Sequence, residues 1–401
     1  MRILILAPWS FRVPSNGGQL RANAIVTAYQ NAGHQVQWAG FYHSAETPQR
    51  EVWPTDIALS PRVMSTFDGF PAHERRSEMS WWNAVAKTSD NFESFVNTVR
   101  NAKPDVIQFE EIALWPVVNR LRKEGYLNGV TIVHSSYNFE TLAWRHRATA
   151  TADVTPETLL SISEYEREIS QECDLIVTVS EGDAQEFRNI GAANICVAPN
   201  GVTAPPCASG NVMGAYMSSR VPYAIFVSSA HPPNAHGIVD LAAQVDGHPL
   251  LHGEIVICGK VGSLMRTSLQ SRKAGRILER CRYLGWVDDA MLGVLYADAR
   301  VVILPKLYSG GSNLKTAEAI ASGRPIVATR LAFEGFETSV DLPEIRIADE
   351  PNEFWNLVDQ YLSADQITAP RSPDATKSLL WHNCLQPMID AVTATQQSLS
   401  T

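Results

Sequence analysis

Between residues 308 and 323 the chain reads YSGGSNLKTAEAIASG: two adjacent glycines, then a lysine and a glutamate at helical spacing. Gly310 and Gly311 carry no Cβ, so an anion can come close to the backbone there. A helix is expected to begin at Ser312 or Asn313, either of which can cap it. Its free N–H groups and the positive end of its dipole then face the anion. Lys315 falls in the first turn and adds a full positive charge. Glu318, three residues on, shares its face. A carboxylate repels phosphate but suits two adjacent hydroxyls, such as those of a ribose. The ligand that satisfies both residues is a nucleoside diphosphate. The plain alternative is an exposed i,i+3 ion pair on a surface helix.

Other phosphate motifs fail on spacing. A P-loop sets Gly directly before Lys, and here Leu314 precedes Lys315. A dinucleotide fingerprint after the first strand is also missing, because that loop offers only Gly17 and Gly18 before Gln19. No acidic DxD cluster for a divalent metal is present; VDD at 287–289 reads as a helix cap. No metal is therefore expected, and no permanently bound cofactor.

The elements that must position these residues read as alternating strand and helix, twice. RILILA, QVQWAG, DVIQFE, GVTIVHS, LIVTVS and NICVAPNG are strand candidates in the first half. A stretch rich in Pro, Gly and Ser at about 202–222 has no periodicity and reads as a linker. YAIFVSS, GEIVICG, RVVILP and RPIVAT resume the pattern, with helices expected near 236–246, 266–280, 289–298 and 313–322. Apolar strands alternating with helices imply parallel sheets. The fold class is thus α/β, with two Rossmann-like doubly wound domains facing a cleft. Residues 1–205 form the expected acceptor-binding domain and 206–375 the nucleotide-binding one. Residues 376–401 form a C-terminal helix that packs back toward the first domain. Ligands of such sheets bind at the carboxyl ends of the strands, which places loops 15–18, 228–236 and 305–313 at the site. Residues 44–88 read as irregular.

Composition sets bounds on all of this. A chain of 401 residues exceeds one ordinary core. A hydrophobic content of 45 % against 19 % charged describes a folded globular protein. A net charge of −9 argues against a nucleic-acid partner. The opening MRILILAPWS is too short for a signal peptide and reads as a buried strand. Six cysteines without a CxxC pair read as reduced structural thiols, which points to the cytosol. The stretches MSWWNAV and LAWRHRA could line an acceptor groove or touch the inner face of a membrane peripherally; otherwise they are core and rim.

Together these residues resemble the GT-B fold glycosyltransferases of the retaining family 4 type. The likeness is strongest in LGWVDD…LYADARVVILPKLYSGGSNLKTAEAIASGRPIVAT, with SNGG, the VSE…PNG segment and SSAHPPNAHG matching elsewhere. The resemblance implies sugar transfer from a nucleotide-sugar donor, UDP- or GDP-linked, to the hydroxyl of a glycan, lipid-linked or small-molecule acceptor. It implies that Glu318 binds the ribose, and that the amides near Asn313 and Leu314, with Lys315, hold the diphosphate. Gly17 and Gly18 would let the first loop close over the phosphates. Ser229 and Asn234 would contact the donor. Trp286 would lie near the nucleobase, unless it is a buried structural tryptophan, and Glu334 resembles the family's terminal Glu-Gly pair.

Departures from the family pattern are specific. Gly310 stands where many members carry a sugar-binding Glu. Asn234, His231 and His236 replace the usual Arg and Lys, leaving Lys315 as the clearest cation. In HSSYNFE, Asn138 and Glu140 match the acceptor-side motif, but Tyr137 stands in the His position. His134, three residues earlier, is then either a catalytic partner of Lys315 and Glu318 or a core histidine. Two other classes are open at this point: a sugar-nucleotide epimerase of the same double fold, and a non-catalytic nucleotide-sugar-binding subunit.

Overall fold

Strand β1, Arg2–Leu6, sends alternate side chains to opposite faces of its sheet. Ile3 and Ile5 join Val106, Val133 and Val177 in one core layer, while Leu4 and Leu6 join Ile107, Phe109 and Ile176 in the other. Apolar residues on both faces are what a parallel sheet covered by helices requires. The computed structural model describes residues 1–14, 16–43, 47–71, 79–150, 154–203, 221–230, 232–245, 252–271, 277–308, 313–364 and 373–400.

The chain divides into two compact units. One comprises Met1–Asn200 and Trp381–Thr401, the other Gly201–Ser309 and Asn313–Leu380. In the first unit β2 is Gln35–Ala39, and Phe41–Tyr42 (β3) pairs with Ile57–Ala58 (β4) as a small separate sheet. Val106–Glu110 (β5), Thr131–Ser135 (β6), Leu175–Thr178 (β7) and Ile195–Val197 (β8) complete the main sheet, in the order β2-β1-β5-β6-β7-β8. Every strand pair in it is parallel. The second unit holds Tyr223–Val227 (β9), Glu254–Cys258 (β10), Cys281–Gly285 (β11), Val301–Leu304 (β12), Ile326–Ala328 (β13) and Ile345–Ile347 (β14). Its order, β11-β10-β9-β12-β13-β14, is also wholly parallel. Strand order reverses between β1 and β5 in one sheet and between β9 and β12 in the other. Those two switch points are where doubly wound sheets bind ligands.

Several elements differ from the sequence reading. β11 and β14 carry Arg282 and Arg346 and lie at the edges of their sheet, so they lack the apolar run that marks the central strands. Helices Arg62–Asp68 and Met79–Lys87 occupy the stretch read as irregular, where Phe67, Trp81 and Trp82 pack on the core of the first unit. The C-terminal helix spans Trp381–Ser400, after a 3-10 turn at Pro373–Leu379. It buries Leu385, Met388 and Val392 with Ile3, Ile5 and Val133. The five described cysteines, Cys173, Cys196, Cys258, Cys281 and Cys384, are all free. Among the described residues, no helix is long and apolar enough to cross a membrane. Most of the linker, residues 204–220, lies outside the described residues.

Candidate functional site

The switch point of the second unit gathers most of the described donor candidates. A glycine sets its geometry: a Cβ on Gly237 would lie 1.9 Å from the Pro305 carbonyl oxygen, so the helix Pro232–Ala243 rests directly on the chain leaving β12. That approach brings Asn234, near the helix start, to Lys315, whose Nζ donates to Asn234 Oδ1. Asn234 Nδ2 reaches the Ser229 carbonyl at 3.5 Å, so the loop after β9 is tied to the same helix. Tyr308 holds the other side, its hydroxyl donating to Asp240 Oδ2 at 2.6 Å.

Lys315 and Glu318 do not form the exposed ion pair that their spacing permits. Both side chains are half-buried on the helix Leu314–Ala321, and among the described residues no salt bridge joins them. Burial, and then the nearby Lys306 ammonium, push the Lys315 pKa down to about 7. Burial, and then the charge of Asp289, push the Glu318 pKa up to about 7. An amine and a carboxyl each moved toward neutrality are poised for a ligand that supplies the missing interactions.

Around the helix start lies a second lysine that the sequence reading overlooked. Lys306 is 4 % exposed, and its Nζ donates to Asn313 Oδ1 at 2.9 Å and lies 3.2 Å from Glu334 Oε2. Its position just past the end of a central strand was the available signal. Asn313 is the N-cap and Leu314 the first helical residue. Gly310, Gly311, Ser312 and His231 lie outside the described residues. Trp286 is not a buried structural residue: it follows Gly285 (φ 71°) at the end of β11 and is 75 % exposed. Asp288 does cap its helix, accepting from Met291 N at 2.8 Å.

The switch point of the first unit is organised differently. Gly17 and Gly18 open the helix Gly17–Asn31, whose cap Asn16 accepts from Gln19 N at 3.0 Å. A Cβ on Gly18 would fall 2.9 Å from both Trp9 Cζ2 and Tyr137 Cε2, and the Tyr137 hydroxyl donates to the Gly18 carbonyl at 3.2 Å. Gly18 is thus demanded by aromatic packing. Beneath it Arg21, fully buried, donates to Ala198 O at 2.9 Å and to Asn200 Oδ1 at 3.1 Å. Glu110, also fully buried, ends β5, and burial raises its pKa. Glu111 follows with φ 69°, a conformation costly for a residue with a side chain.

The acceptor-side candidates are partly spent on one another. Asn138 Nδ2 donates to Glu140 Oε1 at 3.0 Å, and Trp144 Nε1 donates to Glu140 Oε2 at 3.1 Å. Glu166, buried on the helix Pro156–Glu172, accepts from Glu140 N at 2.6 Å and from Thr141 N and Oγ1. Burial is the first cause of its pKa of about 8. His134 lies in the core of the first unit. It is 1 % exposed, stacks on Phe109 at 4.6 Å, and burial pushes its pKa down to about 3.

Two family profiles cover most of this chain: Glycosyltransferase Family 4 matches residues 15–204 and Glycosyl transferases group 1 matches residues 221–363. The chain belongs to the group 1, family 4 glycosyltransferases. The O-antigen chain mannosyltransferase B of Escherichia coli is 25 % identical to this glycosyltransferase over 191 residues, 45 % of this chain. The match spans about half, 48 %, of that curated relative's length. Sucrose-phosphate synthase from Thermosynechococcus elongatus has a similar structure, with a TM-score of 0.67 at 17 % identity, over 100 % of this chain and 98 % of that one. The lipopolysaccharide outer core galactosyltransferase WaaB gives 0.61 at 12 %, over 98 % and 99 %. Anabaena HepE, solved with UDP and glucose, gives 0.59 at 14 %, over 100 % and 99 %. At these identities the structural likeness establishes the fold, which is GT-B.

Proposed function

We propose that this glycosyltransferase moves a sugar from a nucleotide-sugar donor to an acceptor hydroxyl with retention of anomeric configuration and without a metal ion. One observation carries the reading. Lys315 stands in the first turn of a helix at the β9/β12 switch point, on Asn234, with no carboxylate in ion-pair reach among the described residues. A half-buried ammonium in that setting suits a diphosphate. The UDP held by Anabaena HepE, of the same fold, supports a nucleotide as the ligand class.

In the proposed reaction the bond between the anomeric carbon and the diphosphate oxygen breaks, and a new bond to the acceptor oxygen forms on the same face. The acceptor proton passes to the departing diphosphate. Charge building on that leaving group is met by the Lys315 ammonium and by the helix amides, already oriented before reaction. Glu318 holds the ribose hydroxyls. Asn138 and Glu140, braced by Trp144 and by the cap that Glu166 provides, contact the sugar or the acceptor. The mannosyltransferase relative makes a nucleotide-linked mannose the first donor to try, and a glycan or lipid-linked glycan the first acceptor class.

The test is direct. Purified protein is incubated with UDP- and GDP-sugars and an acceptor panel, and product is followed by NMR of the anomeric proton. A product whose anomeric configuration matches the donor supports the reading. An inverted product overturns retention. Interconversion of the donor without acceptor identifies an epimerase, and binding without turnover a non-catalytic subunit.

A further inference from the structure

Lys306 is buried, and an ammonium out of water needs partners. The partners it has here are informative. Its Nζ donates to Asn313 Oδ1 at 2.9 Å, and Asn313 Nδ2 donates to the Glu334 carbonyl at 2.7 Å. Both ends of the Asn313 carboxamide are therefore held sideways. An asparagine at an N-cap ordinarily turns its oxygen onto the amide of the second or third helical residue. Asn313 makes no such bond. The amide of Lys315, the natural target of that cap, is left without it.

We propose that Lys306 is a positioning residue of the diphosphate site, which holds the Asn313 carboxamide off its own helix so that the amides of Leu314 and Lys315 are open to phosphate oxygens. The inference rests on the donor-site reading above and deepens it. Preference for a diphosphate over a bare nucleoside then depends on a lysine that never touches the ligand. Freed from Lys306, Asn313 rotates onto the helix and competes with the phosphate. Lys306 also acts through its charge, as the second cause of the lowered Lys315 pKa.

The test uses the full chain and isothermal titration with UDP, GDP and the matching nucleosides. Lys306→Met is expected to weaken the diphosphate about tenfold while the nucleoside changes less than about twofold. Lys306→Arg, which keeps a donor for Asn313, recovers most of the loss and shows that the site still folds. The decisive variant is Lys306→Met combined with Asn313→Ala. With no carboxamide left to cap the helix, diphosphate binding returns to within about threefold of wild type, a non-additive pair. If Asn313→Ala fails to rescue, or if the nucleoside weakens in step with the diphosphate, Lys306 acts directly or only on the fold, and the inference is overturned. If wild type binds no nucleoside diphosphate at all, the donor-site reading falls and takes this inference with it.

Discussion

The Lys315 ammonium donates to the carboxamide oxygen of Asn234, and through that bond the helices Leu314–Ala321 and Pro232–Ala243 meet at the β9/β12 switch point. A neutral partner is the significant feature. An aspartate in place of Asn234 would satisfy the lysine fully and compete with any anion. An amide fixes its direction and leaves its charge uncompensated.

The first prediction concerns that charge. Lys315→Met should weaken nucleoside diphosphate binding about ten- to hundredfold, because a bond between charged partners is lost. The pH dependence has a definite sign. The free-state pKa of about 7 means that Lys315 loses its proton as pH rises through 7, and a bound diphosphate pulls the proton back. Diphosphate affinity should therefore fall from pH 7 to 9 more steeply in wild type than in Lys315→Met, where only Glu318 still titrates. Titration in buffers of different ionisation enthalpy checks it, since wild type should take up a proton on binding at pH 8.

Glu318 gives a separate readout. If its carboxyl accepts from the ribose, Glu318→Ala should cost a ribonucleoside diphosphate roughly tenfold in affinity and leave the 2′,3′-dideoxy analogue nearly unchanged. Equal losses on both would remove the ribose role. Glu318→Gln should also stabilise the ligand-free protein near neutral pH. The folded pKa of about 7 lies above the ordinary carboxylate value, so the folded state holds an extra proton between them. Wild-type stability falls as pH rises through that window, and the glutamine variant escapes the loss.

Glu166 makes a larger case of the same kind. Its pKa of about 8 means that the folded protein keeps the proton from the ordinary carboxylate range up to pH 8. Stability contributed by the protonated form is lost as pH rises through 8. A glutamine can still accept from Glu140 N and donate to Thr141 Oγ1. Glu166→Gln should therefore raise the melting temperature at pH 8 relative to wild type and leave it nearly unchanged at pH 5. A melting-temperature series across pH checks this, and a drop at every pH would show that the site needs the carboxylate.

Much of this was legible in the sequence. Central strands such as RILIL and VVIL are apolar on both faces, and the lysine and glutamate of the helix Leu314–Ala321 stood at a spacing that set them on one face. β11 and β14 were not legible, because a polar edge strand carries no period of its own. Lys306 escaped because its meaning lies in Asn313, seven residues away, and in Glu334, brought close only by the turn after β13. His134 stayed ambiguous for the opposite reason. A histidine at a strand end looks chemical until Phe109 and Phe187 are seen packed against its ring.

That packing yields the last prediction. His134 is held neutral inside the core, with a pKa of about 3, and its Nδ1 has no hydrogen-bond partner among the described residues. A lowered pKa means that the unfolded chain binds a proton in the window between the folded value and the ordinary histidine value, while the folded protein does not. Wild-type stability is then lost as pH falls from about 6.5 toward 3. Phenylalanine fits a site already lined by aromatic rings and removes the unpartnered Nδ1, at the loss of the ring's interaction with the Phe109 backbone. His134→Phe should therefore raise stability at pH 5 more than at pH 8, while glycosyl transfer at pH 8 stays within about twofold of wild type, as for a volume-conserving core change. Acid melting curves and initial rates on the same preparation decide it. A variant that folds as well as wild type but loses transfer would return His134 to the reaction.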